Sequence, residues 1–410
     1  MKHFSYKKLW KQRKKLENYE KKNKFINNYW KKIKIIYFLI ISGVVVIIIL
    51  LFFLSTKTSS DVFYHQIPPF EEISEEEAKK CPYLNENNPI IAKLRDHEKK
   101  LNRPNKELEK LSQIPKQFVI RCYEKGYHWE DINQLWDWKL ADQEIPDLKT
   151  KQRIGVINSL LVLLDWKRAD YIGTVCDLVV IVRKISGSGG PTINIDSKLL
   201  NDLPMMPNSG NKTKKYFQRI INLFCDEKDI NLKQREIFIF HPIGAKRFGK
   251  EETIAYGRIG GKSGGSSFYL ALLSALYEKP ISNQVTSTGA LLASNKNKKQ
   301  KINDREIKLA KGTILPIKRL KEKAFACAEK GINNLVLSKY QSSPNLLLEF
   351  RPSKLIGTDD DHKKIYSEEK WVLAENYQQV VDSEVKEKLQ VHFAENVKDL
   401  REIFFRGKLG

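Results

Sequence analysis

The chain has 410 residues, of which 41% are hydrophobic and 30% charged, and its formal net charge is +23. That is enough apolar residue for a globular core, which sets aside a wholly disordered chain. The five cysteines, Cys81, Cys122, Cys176, Cys225 and Cys327, show no metal-ligand spacing, and the seven histidines are scattered, so no zinc site is expected. One or two disulfides stay open.

Residues 1–34 carry thirteen Lys or Arg against Glu17 and Glu20. Residues 35–54 contain no charge and no proline. As a helix they would span about 30 Å, the thickness of a bilayer core. A transmembrane helix is expected over residues 35–54. The positive-inside rule then places residues 1–34 in the cytoplasm and the rest of the chain outside, at the cell membrane. Residues 55–72, with Pro68 and Pro69, read as a linker.

Residues 73–165 read as a helical accessory region. Residues 75–80, 104–111 and 149–164 show helical spacing of apolar residues. Trp129, Trp136 and Trp138 read as a small core. The pattern changes near Tyr171. Residues 175–182 and 192–195 read as the strands of a hairpin, with Gly187, Gly189 and Gly190 between them. A helix over residues 213–225 and a strand over 236–240 follow.

Residues 257–276 are a glycine-rich loop running into an apolar helix, with Ser263 at the junction. Backbone N–H groups there have no helical partner and favour negative charge, including a developing oxyanion. Taken alone, the stretch is either a turn before a core helix or the seat of a nucleophile. Gly-Lys-Ser also ends a phosphate-binding loop, but the glycine that motif needs five positions before Gly261 is Tyr256.

Residues 295–305 hold Lys296, Lys298, Lys299, Lys301 and Arg305. They read as a solvated loop or as a basic patch for an anionic partner. A strand then ends at Pro316 and a helix begins, marked by Leu320, Ala324 and Ala328 and stopped by Gly331. Lys321 falls in its first turn, where the dipole disfavours a cation and burial would depress the pKa. A lysine base needs this, although an ordinary surface lysine fits the same letters. A strand at 332–337, an insertion at 341–378 and a closing strand and helix at 385–405 complete the reading.

Gly261-Lys-Ser-Gly-Gly followed by Ala271-Leu-Leu-Ser-Ala-Leu resembles the nucleophile region of Lon proteases. Gly312-Thr-Ile-Leu-Pro-Ile-Lys-Arg-Leu-Lys-Glu-Lys resembles that family's lysine motif. Val285-Thr-Ser-Thr-Gly between them, and Gly173-Thr-Val, residues 236–244 and Leu389-Gln-Val-His-Phe, are further echoes in family order. The resemblance covers roughly residues 171–405. It implies a compact α+β protease domain with no metal or organic cofactor. Carried across, Ser263 matches the nucleophile, Lys321 the general base and Thr288 a positioning threonine. Loop N–H groups, around Gly261 and Gly264, match the oxyanion site.

The chain departs from the family pattern at Gly260, Lys262 and Lys318-Arg319, where Asp, Pro and Gly-Gly are usual, and residues 295–305 and 341–378 look inserted. The residues ahead of the domain hold no phosphate loop and are too few for the family's ATPase module. The resemblance therefore implies a membrane-anchored, ATP-independent Ser-Lys endopeptidase acting on unfolded or flexible proteins. Its expected partners are protein or peptide substrates and the membrane. Nucleic acid is not expected, and self-association is left open. A non-catalytic, membrane-tethered binding or scaffold protein on the same fold is the alternative. A nucleotide-binding membrane protein, drawn from Gly-Lys-Ser, is a third and weaker reading.

Overall fold

A computed structural model describes residues 73–165, 170–185, 191–195, 209–225, 232, 234–242, 262–293, 299–302, 305–342, 348–351, 355–358, 364–366, 370–373 and 375–405. Met1–Tyr64 forms a unit of its own outside the described residues, and His65–Gly410 forms a second.

Five helices come first: α1 Glu75–Lys80, α2 Pro89–Leu101, α3 Lys106–Gln113, α4 Lys116–Glu124 and α5 Trp129–Asp137. Strands β1 Gln152–Arg153, β2 Val156–Asp165, β3 Asp170–Lys184 and β4 Thr192–Ile195 follow, then helix α6 Ser209–Cys225 and strand β5 Arg235–Phe240. Helix α7 Gly265–Tyr277 leads to β6 Ile281–Ser282, β7 Val285–Ser287, β8 Ala290–Leu291, β9 Lys299–Ile302, β10 Arg305–Lys308 and β11 Ile314–Leu315. After helix α8 Leu320–Glu329 come β12 Asn334–Ser338, β13 Leu348–Arg351, β14 Leu355–Thr358, β15 Lys364–Tyr366 and β16 Lys370–Leu373. Helices α9 Tyr377–Val380 and α10 Ser383–Lys388, strand β17 Gln390–Ala394 and helix α11 Val397–Phe405 end the described part.

The centre is a seven-stranded mixed sheet in the order β17-β12-β7-β2-β3-β5-β4. β17, β12, β7 and β2 run parallel. β3 is antiparallel to both β2 and β5. Side chains alternate between the two faces of such a sheet. Ile157, Leu178 and Val180 enter one core with α6, α7 and α11. Val156, Val179 and Ile181 enter another with α4 and α5, and Leu160 and Val175 enter a third with α8, α9 and α10. In α7 every residue from Gly265 to Ser274 is buried, as expected of a helix apolar on all sides. Phe217 lies 4.5 Å from Phe268 and Phe224 lies 4.7 Å from Tyr269, ring centre to ring centre.

Several expectations are corrected. The α+β fold class gives way to a mixed α/β fold, in which helices alternate with parallel strands and cover both faces of one sheet. Residues 149–164 are largely strand. Residues 156–165 are a mostly apolar run, buried on both faces over residues 156–160, a pattern that also satisfies helical spacing. The central sheet therefore begins before residue 171, where the domain was expected to start, because β2 is one of its strands. The helical region is one layer of the same unit, because Phe118, Trp129 and Leu135 share a core with Val179, Phe238 and Phe240. Trp138 packs tilted against Phe238, ring centres 5.1 Å apart, so the tryptophan cluster does form a core, against the sheet. The hairpin between 175–182 and 192–195 does not form; β4 pairs in parallel with β5. Within the solvated loop expected at 295–305, β9 pairs with β10.

The expected transmembrane helix is not supported. No described helix is long and apolar enough to cross a membrane. The longest, α6, has 17 residues and carries Lys214, Lys215 and Arg219. Residues 1–34, 35–54 and 55–72 lie outside the described residues. Cys81, Cys122, Cys176 and Cys327 are buried thiols outside any disulfide.

Candidate active site

The C-terminal end of β7 is where the two helical layers meet. Beyond Ser287 the chain leaves the sheet as Thr288-Gly289. Gly289 clasps the start of α7 on both sides: its N–H donates to the Ser263 carbonyl at 2.9 Å, and its carbonyl accepts from the Ser266 N–H at 3.0 Å. A side chain at Gly289 would collide with Ile314, so this approach requires glycine. The Ser287 hydroxyl donates to the Ser266 hydroxyl at 2.9 Å. On the outer side, the Tyr216 hydroxyl donates to the Lys262 carbonyl at 3.2 Å and accepts from the Leu291 N–H at 2.8 Å. Ser263 is thus held, half-buried, at the entrance of α7.

Gly264 is the N-cap residue of α7, with no side-chain cap. Among the described residues, the N–H groups of Ser263 and Gly264 make no hydrogen bond. Their place beside the positive end of a buried helix suits a developing oxyanion. Gly261 lies outside the described residues.

Helix α8 carries two lysines in Leu-Lys-Glu-Lys, and they have different fates. Lys321 points outward, its side chain 60% exposed, and pairs at 3.1 Å with Asp382. Lys323 is 3% exposed. Two residues along a helix is about 200° around its axis, so burying one of them sends the other to solvent. Leu320, Ala324 and Cys327 share the buried side with Lys323. The seat is tight: a side chain at Gly173 on β3 would collide with the carbonyl of Glu322.

Lys323 Nζ donates to Thr288 Oγ1 at 3.1 Å. That hydroxyl in turn donates to the Ser263 carbonyl at 3.3 Å. The Thr288 N–H is fixed by the Val336 carbonyl at 3.1 Å. Among the described residues no carboxylate forms an ion pair with Lys323. Burial lowers its pKa to about 8, while Cys327, Glu375 and Glu322 partly oppose that fall. The neighbouring Cys327 thiol is pushed up by burial.

The structure therefore brings together Ser263, Gly264 and Thr288 from the expected set, and leaves Lys321 out of it. Lys323 is the residue that sequence reasoning passed over. The available signal was helical phase, since Lys323 falls with Leu320, Ala324 and Cys327. Among the described residues no group of three or more His, Cys, Asp or Glu side chains is placed to hold a metal ion. No protein-family model and no curated protein matches the chain.

Proposed function

We propose that the chain is a serine peptidase of the Ser-Lys type on a domain like the proteolytic domain of Lon proteases. Ser263 is the nucleophile, and Lys323, in place of Lys321, is the general base. The observation that carries this reading is a buried lysine of lowered pKa, free of carboxylate ion pairing among the described residues, joined through Thr288 to the serine at a helix entrance. A neutral amine there accepts the Ser263 hydroxyl proton as the oxygen attacks a peptide carbonyl. The N–H groups of Ser263 and Gly264 receive the oxyanion. The lysine ammonium gives its proton to the leaving amine, and an acyl-serine forms. Water, deprotonated by the same lysine, then releases the acid and frees the serine. No nucleotide enters these steps.

The sheet supports one substrate class. β2 pairs with β7 only at Asn158 and Thr286, and from Ser159 to Asp165 that edge meets no described strand. Thr288 stands two residues beyond Thr286, level with Leu160. An extended polypeptide laid along this edge would present its carbonyls to Ser263 through main-chain pairing. Folded substrates have no such free strand, so unfolded or flexible chains are favoured.

The test is hydrolysis of an unfolded protein by wild type, Ser263→Ala, Lys323→Arg and Lys321→Ala. Activity in wild type and Lys321→Ala alone is the expected pattern. Activity surviving in Ser263→Ala removes the proposal. The second reading, a non-catalytic binding module, draws on Lys323 donating to Thr288 and not to the serine hydroxyl. It requires that wild type cleave nothing and that Ser263 fail to react with a fluorophosphonate.

A further inference from the structure

The turn that launches α8 is built without a cap of its own. Arg319, its N-cap residue, sits in the left-handed region at φ 60°, and no side chain of the turn caps the helix. Such a conformation is costly for a residue other than glycine. Two side chains from the chain's later course hold it. The Glu375 carboxylate accepts from the N–H of Arg319 at 3.1 Å and from that of Leu320 at 2.7 Å. Gln341, fully buried, accepts from the Ile317 N–H at 3.3 Å and donates back to the Ile317 carbonyl at 3.1 Å. The same Gln341 amide donates to the Glu375 carbonyl at 3.2 Å, so the two grips are tied together. They are the two ends of the segment read from sequence as an insertion.

We propose that Gln341 and Glu375 form a clamp that fixes residues 317–320 and thereby positions Lys323. This rests on Lys323 being the functional base, and it makes Gln341 and Glu375 positioning residues. Lys323 lies one turn beyond the clamped N–H groups, so loosening the turn lets water reach the amine. The groups facing it are Thr288, its hydrogen-bond acceptor, Glu322 and Cys327 from its own helix, and Glu375 across the turn. Burial is the largest influence on the amine and the carboxylate a smaller, opposing one. The two roles of Glu375 therefore separate by sign. Removing only its charge lowers the proton affinity of Lys323, and removing the clamp raises it.

The experiment is an NMR titration of the full chain labelled with ¹³C at lysine Cε, with the Lys323 signal assigned by Lys323→Arg. Wild type should titrate near 8. Glu375→Gln, which keeps an acceptor but no charge, should titrate lower by about half a unit or more. Glu375→Ala should titrate higher, towards the ordinary lysine value, and so should Gln341→Met, which removes no charge and decides the matter if Glu375→Ala does not fold. Opposite shifts in Glu375→Gln and Glu375→Ala support the clamp. A fall of equal size in both, or no change in Gln341→Met, overturns it. The readout needs no turnover, so a wild-type protein that cleaves nothing removes the peptidase reading and leaves this test standing.

Discussion

Lys323 holds its ammonium 3.1 Å from the Thr288 hydroxyl, in a site where burial opposes the charge and no described carboxylate pairs with it. A buried charge without a counter-ion destabilises a fold, and such arrangements concentrate at functional sites. The contrast with Lys321 gives the first prediction. Lys323→Arg should lower kcat/KM by about 10³-fold or more, because guanidinium keeps its proton throughout the working pH range. Lys321→Ala removes an exposed ion pair and should stay within about twofold, as such pairs contribute little. Steady-state rates on one unfolded substrate decide between the lysines.

The pH dependence follows from the lowered pKa. Neutral amine is the active form, so activity should rise with pH and level off above about 8. The stability consequence has the same sign. Folded Lys323 releases its proton near 8 and the unfolded residue near 10.5, so between those values the unfolded chain binds more protons. The penalty is full below 8 and is relieved as pH rises through that window. It is on the order of 3 kcal/mol. Lys323→Met should therefore be inactive yet more stable at pH 7, by an amount that shrinks towards pH 10.5. Denaturant midpoints at both pH values test this, and a less stable variant at pH 7 would contradict it.

How far the sequence spoke for itself depends on the kind of signal. Helices α1, α3, α6, α7 and α8 and strands β3, β5, β12 and β17 follow from local pattern and from stops such as Gly331, whose φ is +67°. β2 does not, because an apolar run buried on both faces has no period to betray it. β4 was legible as a strand, but its partner was not, since pairing with β5 is a property of the sheet. Ser263 and Thr288, which the structure brings together, were both singled out by their motifs. Lys323 was hidden by a second lysine two positions earlier, and only the packing of α8 on β3 separates them. Gln341 and Glu375 carry no motif at all; their role exists only once distant segments meet at one turn.

The helical layer over residues 73–148 should not behave as a removable domain. Phe240 is fully buried between Tyr127, at 6.1 Å, and Trp138, at 5.4 Å, both from that layer. Phe240→Ala should cost about 3–5 kcal/mol through the cavity it leaves. A fragment beginning at residue 150 would expose Val156, Val179 and Ile181 and should aggregate. Soluble, cooperative unfolding of that fragment would show the layer to be independent.

Gly173 should matter to the rate more than to the fold. A Cβ there meets the Glu322 backbone carbonyl, which cannot swing aside as a side chain could. Gly173→Ala should push α8 off β3 and carry Lys323 with it. A displacement of about 1 Å is enough to cost about 100-fold in rate. The variant should lose kcat with KM nearly unchanged, while its thermal transition stays cooperative. A variant of normal kcat would mean that the seat of α8 does not set the lysine.

The last prediction concerns Thr288, which touches both ends of the proposed pair. Its hydroxyl accepts from Lys323 and donates to the Ser263 carbonyl, and its methyl group lies in a site that is 1% exposed. Thr288→Val keeps the shape and removes the hydroxyl. It leaves the Lys323 ammonium with no acceptor among the described side chains, which costs more than an ordinary lost hydrogen bond because a charged donor stays buried. The protonated lysine is therefore disfavoured further, and its pKa should fall below the value of about 8. The rate profile should shift to lower pH while its plateau drops, since the lysine is more often neutral but no longer aimed. Thr288→Ser restores the hydroxyl and should recover most of the plateau. Two pH–rate profiles and one lysine titration test the whole argument. An unchanged plateau with an unmoved midpoint in Thr288→Val would mean that Thr288 only fills space, and the path from Ser263 to Lys323 through its hydroxyl would have to be abandoned.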